Sequence, residues 1–214
     1  MVADNVAGQS REGAANGRAL LIVDVQNDFA EGGALGCDGG AAVAASINSL
    51  TAPGHDYQLI AASRDWHSPE GDNGGHFAPA GEEPNWTTTW PVHCVANTEG
   101  AAYHPNLDAS RIELEVRKGM GSPAYSAFEG VSDDGSGLAE ILKEEGITKL
   151  DVVGIATDHC VLASARDALA NGFTVTVLNQ HTAYVDADAA KAALASSRRP
   201  ARPSCVRRAE GTVR

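Results

Sequence analysis

Residues 150–172 read LDVVGIATDHCVLASARDALANG, and the reading of this stretch decides the fold. Residues 150–155 (LDVVGI) form a short run dominated by apolar residues, which predicts a strand buried on both faces. Residues 160–171 carry alanine and leucine at helical spacing, and Gly172 closes the pattern. Strand, turn and helix in that order make half of a βαβ unit, and the rest of the chain repeats the alternation. Residues 19–25 (ALLIVDV), 58–63 (QLIAAS) and 174–178 predict strands, with a weaker one over 112–117. Residues 41–50, 138–145 and 187–196 predict helices. Such alternation implies an α/β fold whose parallel sheet is covered by helices on both faces.

Length and composition fit that picture. The 214 residues suit one core, and 43% hydrophobic with 21% charged residues is ordinary for a globular chain. Residues 1–18 hold no apolar segment and predict a flexible leader, not an export signal, ahead of a domain spanning 19–197. No apolar run is long enough to span a membrane. The net charge of −12 argues against a nucleic-acid partner, because phosphate binding needs a basic face. Cysteines at 37, 94, 160 and 205 form no CxxC pair and predict free thiols in a reducing cytoplasm. Residues 198–214 differ in kind: six of the sixteen Lys and Arg fall there beside a single acid, Glu210. They read as an atypical basic tail.

Chemistry collects where the predicted strands end. The first ends at Asp24, the second at Asp65 with His67 just beyond, the third at Lys118, and the fourth runs into the turn before Cys160. In an open parallel sheet these ends share one edge, where ligands bind. A thiol at a helix start is favoured as thiolate by unpaired N–H groups and the helix dipole. Lys118 would add positive charge, and Asp24 would accept the thiol proton. Position alone leaves Cys160 open between a core thiol and a nucleophile, Asp24 between a strand-end cap and a base, and Lys118 between a solvated lysine and a site residue.

The segment 64–108 breaks the alternation. It is long, rich in Gly, Pro, Asn and Thr, and carries three tryptophans and His67, His76, His93 and His104. A loop of that length inside a compact domain is usually functional or disordered, and its aromatic content argues against disorder. Asp65 and His67, two apart on an extended segment, point the same way; with His76 and His93 they are candidate ligands for divalent Zn, Mn or Fe. Taken singly, each histidine reads equally well as a solvated loop residue. Cys94, beside His93, reads as a buried thiol. Cys37, in a Gly-rich turn, carries no signal, and His55 and His181 have no chemical neighbours in the sequence.

Seven motifs in order carry a resemblance to a known family: VDVQNDF (23–29), EGGAL (31–35), RDWH (64–67), WPVHC (90–94), RKG (117–119), AYSAFEG (124–130) and GIATDHCV (154–161). Together they resemble the nicotinamidase/pyrazinamidase group of the isochorismatase-like cysteine hydrolases, from about residue 19 to about 195. The resemblance implies a three-layer, doubly wound, mostly parallel, Rossmann-like sheet. It implies a triad of Asp24, Lys118 and Cys160 and one divalent transition metal ion on Asp65, His67 and His93, with His76 a further ligand. It implies a cis peptide at Ile155–Ala156, so that the N–H groups of Ala156 and Cys160 face a developing oxyanion. Phe29, Leu35, Trp90 and Tyr125 match positions that wall the ring pocket, though plain core packing also accounts for such aromatics. His159 is expected only to shape the turn. The implied reaction is hydrolysis of nicotinamide, and of pyrazinamide, to the acid and ammonia through a Cys thioester, in NAD salvage, by a cytoplasmic monomer or homo-oligomer whose partner is the small amide. The rival reading is another amide or carbamoyl cysteine hydrolase of the same superfamily.

The resemblance also implies a final apolar edge strand, which 198–214 does not supply: Pro200 and Pro203 lack ladder donors. The expectation is a sheet without that strand, through divergence or a reading-frame shift near Ser196. The other reading of the segment is a basic tail for an acidic partner.

Overall fold

The computed structural model describes residues 17–197, so the expectations for residues 1–16 and for the 198–214 tail lie outside the described residues. Nine elements alternate along the chain: β1 (Arg18–Val23), α1 (Gly40–Ile47), β2 (Leu59–Asp65), β3 (Leu114–Lys118), α2 (Leu138–Glu144), β4 (Lys149–Ile155), α3 (Leu162–Ala170), β5 (Thr174–Ala183) and α4 (Ala187–Ser197). The five strands form one sheet in the order β3-β2-β1-β4-β5, and every pairing is parallel. The chain moves outward from β1 to β3, then returns to place β4 on the other side of β1. That reversal puts a topological switch point between β1 and β4, where α/β sheets bind ligands.

Alternate residues of β1 feed two cores. Leu20 and Ile22 pack with Val43, Ala44 and Ile47 of α1 on one face. Ala19, Leu21 and Val23 pack with Leu138 and Leu142 of α2 and Ala168 of α3 on the other. Five of the six β1 residues are buried, which explains the unbroken apolar run, since neither face of the strand meets water. Both cores press on the same strand, which makes three layers.

Several boundaries differ from the sequence reading. Arg18, placed in the leader, opens β1 and pairs with Lys149; its guanidinium meets Asp56 at 2.9 Å and Asp151, so two acids hold the strand start. The first helix ends at Ile47, before the run of polar residues, and not at Leu50. β5 continues five residues beyond Leu178, to Ala183, through Asn179, Gln180, His181 and Thr182; it is one of the two outer strands among the described residues, so its polar residues need not be buried. The helix carrying Cys160 starts earlier than its apolar pattern. Residues Thr157–Val161 form a wide π-turn, closed by the Val161 N–H to the Ala156 carbonyl at 3.0 Å, before α3 proper. Such wide turns recur at functional sites. Cys160 therefore lies within the turn and not at a helix start.

Gly154 explains how close β1 and β4 come. Its φ is +117°, and a Cβ there would be driven into the Val23 carbonyl. The β4–β5 register also shifts at this point, between Val152 and Gly154. No helix among the described residues is long and apolar enough to cross a membrane.

Candidate active site

Asp24 follows β1 directly, with a left-handed φ of +50° that turns it out of the strand. It is fully buried and accepts a hydrogen bond from the Ser63 hydroxyl at 2.7 Å. Lys118, the last residue of β3, reaches across the end of β2. Its Nζ lies 2.9 Å from Asp24 Oδ2 and 3.9 Å from Cys160 Sγ, and it also grips Asp65 Oδ1. One buried ammonium thus stands among two carboxylates and a thiol.

Burial penalises every charge here, and the neighbours decide the outcome. Burial pushes the Asp24 carboxyl up, against the pull of Lys118 and the Ser63 hydroxyl, and the Asp65 charge adds to the rise. Burial would raise Asp65 too, but Lys118, followed by the neighbouring His67 and His93, holds it well below the usual carboxylate range. Burial alone would lower Lys118; Asp24, Asp65 and Cys160 outweigh it and keep the ammonium charged. Burial pushes the Cys160 thiol well up, with Lys118 opposing and Asp24 adding, the last partly as a hydrogen-bond partner. Burial thus works against charge on both Asp24 and Cys160, and Lys118 opposes it at each. The sequence reading favoured a thiolate at a helix start; burial of Cys160 in its turn works against that charge, and Lys118 works for it.

On the other side of Asp65 lie three histidines. Its Oδ2 is 3.6 Å from His67 Nε2 and 3.7 Å from His93 Nε2. His67 Nδ1 pairs with the Gly119 carbonyl at 2.9 Å and His93 Nδ1 with the Pro91 carbonyl at 2.7 Å, so in both rings the Nε2 is the nitrogen left with a lone pair. His76 joins them, its ring 4.8 Å from that of His67, and burial followed by its two histidine neighbours pushes its pKa down to about 4. His67 Nε2 and His76 Nδ1 are buried without a hydrogen-bond partner. Orphaned buried nitrogens are costly unless something fills them. His67, His76 and His93 offer atoms within 4.8 Å of one another and can hold a metal ion, and neutral imidazoles beside a carboxylate suit a divalent transition metal.

The surrounding loop is built to hold this cluster. Asn73, buried at φ +50°, takes the Ser68 and Gly121 N–H groups on its Oδ1 and donates to the Ser68 carbonyl. Gly119, at φ +89°, lies so close to His67 that a Cβ would come 2.5 Å from the imidazole Cε1. Gln26 spans the base of the site, accepting from the Asp65 N–H and donating to the Asp65 carbonyl.

Asp65, His76, His93 and Cys160 open onto one cavity. Its walls include Phe29, Leu35, Trp90 and Tyr125, with Ile155 and Ala156 beside the nucleophile turn. The Ile155–Ala156 peptide is cis. Trp90 Nε1 donates to the Tyr125 hydroxyl at 2.8 Å, fixing both rings. Several wall residues escaped the sequence reading. His159 lines the cavity and stacks edge-on against Trp90 at 5.3 Å, a larger part than shaping the turn. Cys37, silent in the sequence, is buried in the wall, and Val185 projects from beyond β5. Of the remaining histidines, His181 Nδ1 meets the Ser46 hydroxyl at 2.9 Å and His55 Nδ1 accepts from Tyr57 N–H, both away from the cavity. Cys94 is a fully buried free thiol whose backbone N–H is held by Asp28.

Known proteins share this arrangement of sequence and fold. The Isochorismatase domain family matches residues 18–206, running into the segment that composition sets apart as a tail. A nicotinamidase/pyrazinamidase of Mycobacterium tuberculosis is 48% identical over 85% of this chain and 94% of its own. Among solved structures, PnC1 of L. infantum in complex with nicotinate superposes with a TM-score of 0.71 at 37% identity, covering 84% of this chain and 87% of that one. A pyrazinamidase of Pyrococcus horikoshii in complex with zinc gives 0.68 at 34%, covering 85% and 94%.

Proposed function

The chain belongs to the isochorismatase family, and on that footing we propose that it hydrolyses nicotinamide and pyrazinamide to the corresponding acid and ammonia, with Cys160 as nucleophile. The observation that carries this reading is the Lys118 ammonium, buried between Asp24 and Asp65 and 3.9 Å from Cys160 Sγ, at the base of a ring-walled cavity.

Asp24 takes the thiol proton, and Lys118 stabilises the negative charge that moves from oxygen to sulfur. The sulfur bonds to the carboxamide carbon while charge develops on the carbonyl oxygen, which the N–H groups of Ala156 and Cys160 receive. The C–N bond then breaks, Asp24 gives its proton to the departing nitrogen, and ammonia leaves a thioester on Cys160. Water adds to that thioester with Asp24 taking its proton; the C–S bond breaks, the acid leaves, and the proton returns to sulfur. Phe29, Leu35, Trp90 and Tyr125 hold the flat ring and keep bulk water from the thioester. Asp65, His67, His76 and His93 would hold one divalent ion, Zn, Fe or Mn, whose Lewis acidity acts on a ring nitrogen or a water. The acid product serves NAD salvage. The reading also places the enzyme in the cytoplasm, where thiols such as Cys37, Cys94 and Cys160 stay free, with the small amide as its partner.

The test is ammonia release from nicotinamide by metal-loaded protein, beside a chelated sample and Cys160→Ala. Release by the loaded wild type alone is expected. Folded, metal-restored protein that releases none overturns the reading.

A further inference from the structure

Two cavities meet at a thin wall on the β5 side of the site. The ring cavity and a second cleft share two lining residues, Cys37 and Val185. The rest of the second cavity comes from residues 36–43 and 182–184. Both wall residues are fixed from behind. The Cys37 N–H and its thiol both go to the Phe29 carbonyl, at 3.2 and 3.3 Å. The Asp158 carboxylate takes the Val185 N–H at 3.1 Å on one oxygen and the Asp186 N–H at 2.8 Å on the other. Asp158 stands two residues before Cys160, so it ties the chain beyond β5 to the nucleophile turn.

The mechanism has no use for the Cys37 sulfur as a nucleophile. Burial pushes this thiol up to about 11, and Glu31, Asp158 and Asp38 add to the rise. What remains is its bulk. We propose that Cys37 and Val185 set the upper size limit of the substrate: they stop ring substituents at the edge of the second cavity, and trimming either residue joins the two spaces into one site for ring-alkylated pyridine carboxamides. Asp38, exposed, is the one charged side chain lining the second cavity, so the joined site suits an alkyl substituent and opposes a carboxylate. This proposal rests on the amide hydrolysis proposed above.

The experiment compares kcat/KM for nicotinamide with that for its methyl, ethyl and propyl derivatives at each free ring carbon, and for the matching carboxylate derivatives. Metal-loaded wild type, Cys37→Ala and Val185→Ala are assayed side by side. Val185 is 57% exposed, so its truncation keeps the test open even where Cys37→Ala folds poorly. At one ring position or more, both variants should raise the ratio of the ethyl or propyl derivative to nicotinamide by about ten-fold, the usual effect of one methylene in an apolar pocket. The gain should lie in KM, with none for the carboxylate derivatives. Ratios within two-fold of wild type for every derivative overturn the proposal. So does an equal gain by the carboxylates, which marks a loosened site and not a joined one. Folded, loaded wild type that is inactive on nicotinamide itself is a different result and overturns the amide-hydrolase reading first.

Discussion

Two halves of the site meet at Lys118, and they are built differently. The nucleophile half takes Asp24, Lys118 and Cys160 from the ends of β1 and β3 and the turn after β4. Sheet register fixes these positions, because β1 lies between β2 and β4 and cannot slide without unburying its core. The histidine half takes only Asp65 from a strand. Its His67, His76 and His93 come from an irregular loop held by Asn73, by the Gly119 carbonyl and by isolated bridges such as His67 with Val95 and Phe77 with Trp90. The comparison teaches that geometry in the first half is inherited from the fold, and in the second half it is assembled by a few polar contacts. Changes in the first should therefore stop chemistry and leave cation binding alone, whereas changes in the second should act through cation affinity.

Asp24→Asn is the strongest way to break that division. It keeps the shape and removes the proton acceptor, so kcat should fall by about 10²–10⁴-fold. Metal content, measured on the dialysed protein, should equal that of wild type, and added metal should restore nothing; rescue by metal would mean the halves are not separate. A smaller effect is expected from Gly119→Ala, which pushes a methyl group against the His67 ring. Metal affinity should drop by about 10–100-fold, as for other groups that orient a ligand, and excess metal should recover activity in a titration. Unaltered affinity would show that the loop yields without cost. Smaller still is a pH effect in the metal-free protein. His76 is held near 4 in the fold but has its ordinary value of 6.5 when unfolded. Between those values the unfolded chain binds a proton that the folded one refuses, so stability falls as pH drops through that window. The urea midpoint should decline from pH 7 to pH 5 more steeply in wild type than in His76→Gln; equal declines would remove His76 from the account.

The same contrast governs what the sequence could reveal. β1 and β4 were legible because both faces of each are buried, which forces an apolar run. Asp24, Asp65, Lys118 and the turn of Cys160 were legible as a group because parallel strands end on one edge. The end of β5 was hidden, since Asn179–Thr182 lie on an outer strand and carry no apolar signal. The π-turn was hidden by its polar Thr157, Asp158 and His159, which resemble a loop. Cys37, His159 and Val185 join the cavity through contacts that no local pattern announces: Phe29 through its carbonyl, Trp90 through its ring, and Asp158 through its carboxylate. Gly36 and Gly39 around Cys37 announce a turn but not what the turn faces. Ser63 left a faint sign, a hydroxyl closing an otherwise apolar strand.

Gly154 shows what such closeness demands of descendants of this chain. Val23 and Gly154 sit opposite each other in the β1–β4 ladder, one residue before Asp24 and six before Cys160. Any side chain at 154 would meet the Val23 carbonyl and pry apart the strands that bring base and thiol together. Position 154 admits no second choice, so a library of all twenty residues there should return glycine alone.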